Sequence, residues 1–147
     1  MTDHRSVSIV MIEDDEGHAR LIEKNIRRAG IMNEITHFTD GTTALAFLFD
    51  AADGPAKSGP ALILLDLNLP DMSGIDILQR IKADDGPLRR APVVVLTTTD
   101  DKVEIQRCYD LGCNVYITKP VNYESFAQAI RQLGLFLSVI QVPSAES

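Results

Sequence analysis

The chain has 147 residues, of which 45% are hydrophobic and 24% charged, values typical of a single globular domain. Its formal net charge of −7 argues against a surface that binds nucleic acid. No apolar stretch approaches the roughly 20 residues that span a bilayer, and residues 1–8 lack the apolar segment of a secretory signal. We therefore expect a cytoplasmic protein that binds neither nucleic acid nor membrane.

The first apolar run, residues 8–12, is a predicted strand, and a predicted helix follows it at residues 16–29. Gly30 supplies a stop for this helix, because glycine readily takes the left-handed conformation found at helix ends. Helical spacing predicts one buried face for the helix, made of Leu21, Ile22, Ile26 and Ala29.

A second pair of elements follows, with a weak strand pattern at residues 34–38. Asp40 is suited to cap a helix that runs to about residue 49, because its short carboxylate can accept a hydrogen bond from the first turn. Residues 51–60 are rich in Gly, Pro, Ala and Ser, which indicates a loop inside one domain.

Two continuous apolar runs, residues 61–65 and 92–96, are predicted strands buried on both faces. A helix is predicted at residues 74–83, and Gly86 with Pro87 ends it. Asp100 or Asp101 caps the next helix, in which Ile105, Cys108 and Tyr109 share a face.

Residues 115–118 are the fifth predicted strand, and Asn122 caps a last helix that reaches about residue 140. Residues 143–147 are expected to form a flexible tail. Strands that alternate with helices predict a parallel sheet covered by helices on both faces, with any ligand at the carboxyl ends of the strands.

Polar residues follow four of the five predicted strands. In a parallel sheet these strand ends meet at one edge, where several carboxylates would repel one another unless a cation lay between them. Oxygen ligands beside a phosphoryl group suit Mg²⁺, a lysine can pair with phosphoryl oxygens, and an aspartate can accept the phosphoryl group itself. The residues are Glu13, Asp14 and Asp15; Asp66, Asn68 and Pro70; Thr97, Thr98 and Thr99; and Lys119 with Pro120.

The order Glu13-Asp14, Asp66-Leu67-Asn68-Leu69-Pro70, Gly74, Thr97-Thr98 and Lys119-Pro120 resembles the receiver domain of two-component response regulators. The resemblance covers about residues 7–140 of a single domain spanning 1–147. It implies a flavodoxin-like α/β fold, with a five-stranded parallel sheet in the order 2-1-3-4-5 and helices on both faces. It also implies a phosphoacceptor that is not an enzyme in its own right, and a sensor histidine kinase as partner.

The same resemblance implies a role for each site residue. Asp66 would be the phosphoacceptor, and Mg²⁺ would be held by Glu13, Asp14, Asp66 and the backbone carbonyl of Asn68. Phosphoryl binding and the conformational switch would involve Thr97, Thr98, Lys119 and Tyr116.

Glu13 departs from the family pattern, in which aspartate is frequent at this position. The extra methylene is expected to shift the carboxylate outward, so that Glu13 meets the ion through water. Asp15 is expected to face solvent without a role in the site. Four features resemble the single-domain regulators that work with bacterial phytochrome histidine kinases. They are the loop at 51–60, the segment 85–92, the sequence LTTTDD and the apolar last helix.

Three alternative functions are weighed against this one. An aspartate-nucleophile phosphatase would need an acid two residues after Asp66, where this chain has Asn68. A degenerate receiver that acts only as a docking module would lack an acceptor, metal or lysine position, yet all are present. A nucleotide-binding domain is disfavoured because acids, and no glycine-rich loop, follow the first strand.

The last helix carries more apolar residues than one face can hold. One set is expected to cover the sheet, namely Phe126, Ala127, Ile130, Gly134 and Leu137. A helix that is apolar on more than one side is buried on more than one side, so the second set predicts a homodimer. That set is Ala129, Leu133, Phe136 and Ile140, of which the last three are the predicted interface. The alternative is that the end of the helix packs back on its own domain.

Overall fold

The computed structural model describes residues 7–51, 54–55, 60–119 and 122–129. Within these residues the five predicted strands all form, with ends within one residue of those expected. The strands are β1 (Ser8–Ile12), β2 (Ile35–Phe38), β3 (Ala61–Asp66), β4 (Val93–Thr97) and β5 (Val115–Thr118).

The helices also lie where the sequence predicts them. They are α1 (Glu16–Arg28), α2 (Gly41–Leu45), α3 (Gly74–Lys82), α4 (Lys102–Leu111) and α5 (123–129). α2 continues as a π-helical turn over Ala46–Asp50, and a 3₁₀ turn at Pro87–Arg90 precedes β4.

Side-chain caps explain where the helices begin. Asp40 accepts a hydrogen bond from the Thr43 N–H, and Asn122 accepts one from the Ser125 N–H at 2.8 Å. Asp101 caps α4, which settles the choice between it and Asp100. The predicted stop after α1 is also confirmed, since Gly30 has a φ of 87°.

All neighbouring strands run parallel in the order β2-β1-β3-β4-β5, as the resemblance implied. β3 is central, and all six of its residues are buried. One core cluster packs α2, α3 and α4 on one face of the sheet, while the other packs α1 and α5 on the opposite face. Helices therefore cover both faces of the sheet, and the ends of the strands are left to form a polar edge.

Two predicted helix faces are wrong in detail. Leu21 is 38% exposed, whereas Ala19 and Asn25 of α1 are buried. Ala129, expected on the outer face of the last helix, packs in the core beside Phe126. In both cases the contact with the sheet selects which side of the helix faces inward, and apolar spacing alone does not.

None of the helices formed by the described residues is long and apolar enough to cross a bilayer.

Candidate functional site: an acidic pocket at the strand ends

The acidic residues after β1 and at the end of β3 meet at one point. β1 and β3 pair in register up to Ile12 and Leu65, so Glu13 and Asp66 leave the sheet side by side. Glu13 is fully buried, Asp66 is 2% exposed, and Asp14 lies in solvent. Each of these three residues has a carboxylate oxygen within 4.8 Å of one from each of the others.

Lys119 reaches the same pocket from the end of β5. Its ammonium nitrogen lies 2.7 Å from Glu13 Oε1 and 3.2 Å from Asp66 Oδ2, and its side chain is only 6% exposed. Burial lowers the pKa of Lys119, but the carboxylates of Glu13 and Asp66 outweigh this effect and raise it. Lys119 is therefore charged, and it links the ends of three strands.

Asp66 is held in an environment that disfavours its ionised form. Burial is the largest cause and raises its pKa to about 6, and the charge of Glu13 acts in the same direction. The N–H of Asn68, which donates to Asp66 Oδ1 at 3.1 Å, and the ammonium of Lys119 oppose this shift.

The donor set of this pocket fits a hard divalent cation. Three carboxylates and one ammonium leave a formal charge of −2. The atoms that the three acids offer to a metal ion are all oxygens, which hard cations prefer. A cation among them would stabilise the ionised form of Asp66 against both its burial and the charge of Glu13, which together raise its pKa. The three carboxylates among the predicted Mg²⁺ ligands thus share one pocket.

Glu13 differs from its expected position. We predicted that the longer side chain would carry the carboxylate outward, but Glu13 is fully buried. Its Oε1 pairs with Lys119, and its Oε2 accepts the N–H of Asp15 at 3.1 Å. The added methylene lets the carboxylate reach across to Lys119 just after β5, which explains the inward direction.

The loop between β3 and α3 brings Asn68 to the mouth of the pocket. Asn68 is exposed and forms an isolated antiparallel bridge with Ser73, so the loop turns tightly back on itself. Gly74 is required at the base of this turn, because a Cβ there would lie 2.3 Å from the backbone oxygen of Asp66. Gly74 N–H in turn donates to Leu67 O at 2.9 Å.

The predicted phosphoryl-binding and switch residues lie on β4 and β5 or directly after them. Thr97 is fully buried, and its hydroxyl oxygen accepts the N–H of Thr99 at 3.0 Å, whereas Thr98 is exposed. Tyr116 is half-buried and meets Tyr109 of α4 edge-on, with ring centroids 5.8 Å apart. Thr97 and Tyr116 stand on adjacent strands, since Val95 pairs with Tyr116 and Thr97 with Thr118.

Several residues around the pocket make contacts that the sequence analysis did not predict. Asp15 is exposed, as expected, and it also caps α1 by accepting the His18 N–H at 2.9 Å. An aspartate just before a helical pattern was a usable signal for this cap. His37 contacts the Glu13 carbonyl, and Asp71, in the loop between β3 and α3, contacts the start of α2. Both contacts join residues far apart in sequence, and no local pattern pointed to them.

Some predicted residues lie outside the described part of the chain. These are Pro120, three residues of the set expected to cover the sheet, the three residues of the predicted dimer interface, and the predicted tail 143–147. The sheet-covering residues are Ile130, Gly134 and Leu137, and the interface residues are Leu133, Phe136 and Ile140.

Comparison with known proteins identifies the family. The response regulator receiver domain family matches residues 9–131. The chain belongs to this family. The receiver domain described here therefore takes part in two-component signalling, in which response regulators work with histidine kinases or phytochromes.

Its relatives include phytochrome response regulators. A receiver domain from Rhodospirillum rubrum is 71% identical, with a TM-score of 0.76 over 93% of this chain and 97% of its own. Response regulator Rcp1 of Synechocystis sp. is 34% identical over 138 residues, 93% of each chain. The solved Mn(2+)-bound form of a response regulator Rcp1 is 32% identical, with a TM-score of 0.72 over 94% of this chain and 99% of its own.

A phosphorylated cyanobacterial phytochrome response regulator, RcpA, is 35% identical, with a TM-score of 0.73 over 95% of this chain and 100% of its own. The predicted similarity to phytochrome-associated regulators is thereby confirmed.

Proposed function

We propose that this receiver domain accepts a phosphoryl group on Asp66 from a phosphohistidine of a sensor histidine kinase, in a reaction that depends on Mg²⁺. The observation that carries the proposal is the setting of Asp66 at the end of the central strand. It lies 3.2 Å from the Lys119 ammonium and within the cluster formed with Glu13 and Asp14. Phosphoryl transfer needs such a preorganised arrangement of positive charge more than it needs further covalent chemistry.

In the transfer step, an oxygen of Asp66 forms a bond to phosphorus while the bond from phosphorus to the histidine nitrogen breaks. The imidazole leaves with that electron pair. Lys119 can then pair with a phosphoryl oxygen. Thr97 can donate its hydroxyl proton to another, because a hydroxyl that accepts one N–H retains its own hydrogen.

A bound Mg²⁺ would neutralise charge that gathers on the carboxylates and the phosphoryl oxygens. Its ligands would be Asp14, Asp66 and the backbone carbonyl of Asn68. Both oxygens of Glu13 already have partners, Lys119 and the Asp15 N–H. We therefore expect Glu13 to meet the ion through water.

The proposed product stays attached to the protein as an acyl phosphate, which water hydrolyses. The domain would therefore act as a phosphoacceptor that assists its own phosphorylation and dephosphorylation, and not as an enzyme with a separate substrate. Asn68 supports this reading over a phosphatase, because an amide at that position cannot protonate a leaving group. A docking module without chemistry is less well supported, since the acceptor, the acids and the lysine meet in one pocket.

The proposed partner is a histidine kinase of the class found in bacterial phytochromes. Similarity to Rcp1 and to the phytochrome response regulator RcpA supports this choice. The formal net charge of −7 is consistent with a protein partner and gives no support for nucleic acid as one. We propose that the domain acts in the cytoplasm, where it would meet the kinase.

The test is the mass of the intact protein after incubation with acetyl phosphate and Mg²⁺. The unmodified protein should gain one phosphoryl group, and Asp66→Asn should gain none. Asp85→Asn, which alters an exposed acid after α3, is the matched control and should gain mass normally. A phosphoryl group on Asp66→Asn at the normal rate would contradict the assignment.

A further inference from the structure

The backbone on both sides of Glu13 is held by β2. The N–H of Glu13 donates to Phe38 O at 2.9 Å. The imidazole Nε2 of His37 lies 2.7 Å from the carbonyl oxygen of Glu13. A carbonyl oxygen only accepts hydrogen bonds, so Nε2 must carry the proton and His37 is the donor.

This carbonyl belongs to the peptide group that joins Glu13 to Asp14. A peptide group is planar, so holding its oxygen fixes the direction in which the chain enters Asp14. Asp14 is exposed, and little packing surrounds its side chain. The backbone position from which its carboxylate comes within 4.8 Å of those of Glu13 and Asp66 therefore depends on this peptide group.

The imidazole is not needed for the sheet itself. β2 is already joined to β1 by backbone pairing from Ile9 with Ile35 to Ile12 with Phe38. His37 is an exposed residue, so it also adds little to the core. Its hydrogen bond instead acts one residue beyond the end of β1, where the metal-binding acids begin.

We infer that His37 is a positioning residue for the metal site: its Nε2–H holds the Glu13 carbonyl so that Asp14 faces Asp66. This inference rests on the proposed Mg²⁺ dependence of the domain. It gives a histidine on the edge strand β2 a part in cation binding. The sequence does not suggest this part, because His37 is more than twenty residues from the acids. Groups that orient metal ligands from outside contribute measurably to metal affinity.

The test is calorimetric titration of the full chain with Mg²⁺. His37→Leu keeps a side chain of similar size but removes the donor, and its dissociation constant should rise about three- to tenfold, as expected for loss of one hydrogen bond. His37→Gln can place an amide N–H near the position of Nε2 and should restore most of the affinity. Thr39→Val, a change at an exposed residue just after β2, is the matched control and should bind as the unmodified protein does.

Melting temperatures of the same variants in EDTA separate positioning from a general loss of stability. The inference requires His37→Leu to remain folded at the titration temperature and His37→Gln to recover affinity. It is overturned if His37→Leu binds Mg²⁺ normally, or if His37→Gln binds as weakly as His37→Leu. Absence of Mg²⁺ binding by the unmodified protein would instead overturn the proposed metal site, and Asp14→Ala marks that baseline.

Discussion

At the scale of single residues, the pocket is organised by one buried lysine between two buried carboxylates. Lys119 pairs with Glu13 at 2.7 Å and with Asp66 at 3.2 Å. Removing one partner of a buried ion pair leaves an uncompensated charge, which costs more than the pair itself contributes. Two acidic groups next to this ion pair, Asp14 and Asp15, are adjacent in sequence but have different surroundings.

Asp14 and Asp15 should respond differently to substitution. In EDTA, Asp14→Ala should melt at or above the temperature of the unmodified protein, because it removes one of three mutually repelling carboxylates. Mg²⁺ should no longer raise its melting temperature, whereas it should stabilise the unmodified protein by about 2.7 kcal/mol at a concentration 100 times the dissociation constant. Thermal melts with and without Mg²⁺ measure both effects.

Asp15→Ala is the contrasting variant. It should lower the melting temperature in EDTA, because α1 loses the carboxylate that accepts the His18 N–H, but it should keep the response to Mg²⁺. A marked loss of metal-free stability in Asp14→Ala would show instead that Asp14 supports the fold.

At the scale of elements, a carboxylate ties the loop that carries Asn68 to the start of α2. Asp71 accepts the N–H groups of Gly41 and Thr42, each at 2.8 Å, and also the Thr42 hydroxyl. These hydrogen bonds, that of the Thr42 side chain foremost, lower the pKa of Asp71 to about 2. A loop beside the pocket is thereby fixed to a helix on one face of the sheet.

This tie predicts a pH dependence of stability. The pKa of Asp71 is lower in the folded chain than its ordinary value of 3.8, so its ionised form stabilises the fold. The contribution is fully present above about pH 4 and is lost as the pH falls from about 4 towards 2. Asp71→Asn should therefore melt below the unmodified protein at pH 6, and the difference should shrink near pH 2. Asp85→Asn serves as the control, and a difference that is constant across this range would contradict the prediction.

A second prediction at this scale concerns the switch. If Thr97 turns towards a phosphoryl oxygen, Tyr116 can fill the vacated space, and its edge-on contact with Tyr109 of α4 would then be lost. Amide hydrogen exchange should change on phosphorylation in α4, β5 and the last helix. The same experiment on Thr97→Ala should show a weaker response, because the variant lacks the hydroxyl. Changes confined to residues 16–50 would rule this mechanism out.

At the scale of the whole molecule, the last helix bears on whether the protein is a monomer or a dimer. Phe126 and Ala129 are both buried against the sheet beside α1. Ala129 therefore leaves the second apolar set of this helix, and the predicted interface of Leu133, Phe136 and Ile140 is unchanged. A dimer through these residues stays a prediction from the sequence, based on their number and spacing.

Light scattering tests this prediction. Phe136→Glu places a charge in the proposed interface, far in sequence from the phosphoacceptor, and should give a monomer that still accepts phosphate from acetyl phosphate. Gln128→Glu adds the same charge at an exposed position of α5 and should leave the dimer intact. A monomer at tens of micromolar in both the free and the phosphorylated protein would exclude the dimer.

The amino-acid sequence by itself determined the elements and the composition of the pocket. Continuous apolar runs marked the buried strands β3 and β4, and Asp40 and Asn122 marked helix starts, because strand burial and capping depend on residues close together in the chain. The polar residues after each strand could be placed together because a parallel sheet gathers its carboxyl ends at one edge.

Only the tertiary structure decided how these elements face one another. Three contacts join residues that are 24 to 106 positions apart in the chain. They are the ion pair of Glu13 with Lys119, the hydrogen bond of His37 to the Glu13 carbonyl, and the hydrogen bonds of Asp71 to the start of α2. The exposure of Leu21 and the burial of Ala129 likewise depend on how α1 and α5 are rotated against the sheet. Strand register and helix rotation are set by the packing of the whole core, so no short stretch of sequence contains the information that determines them.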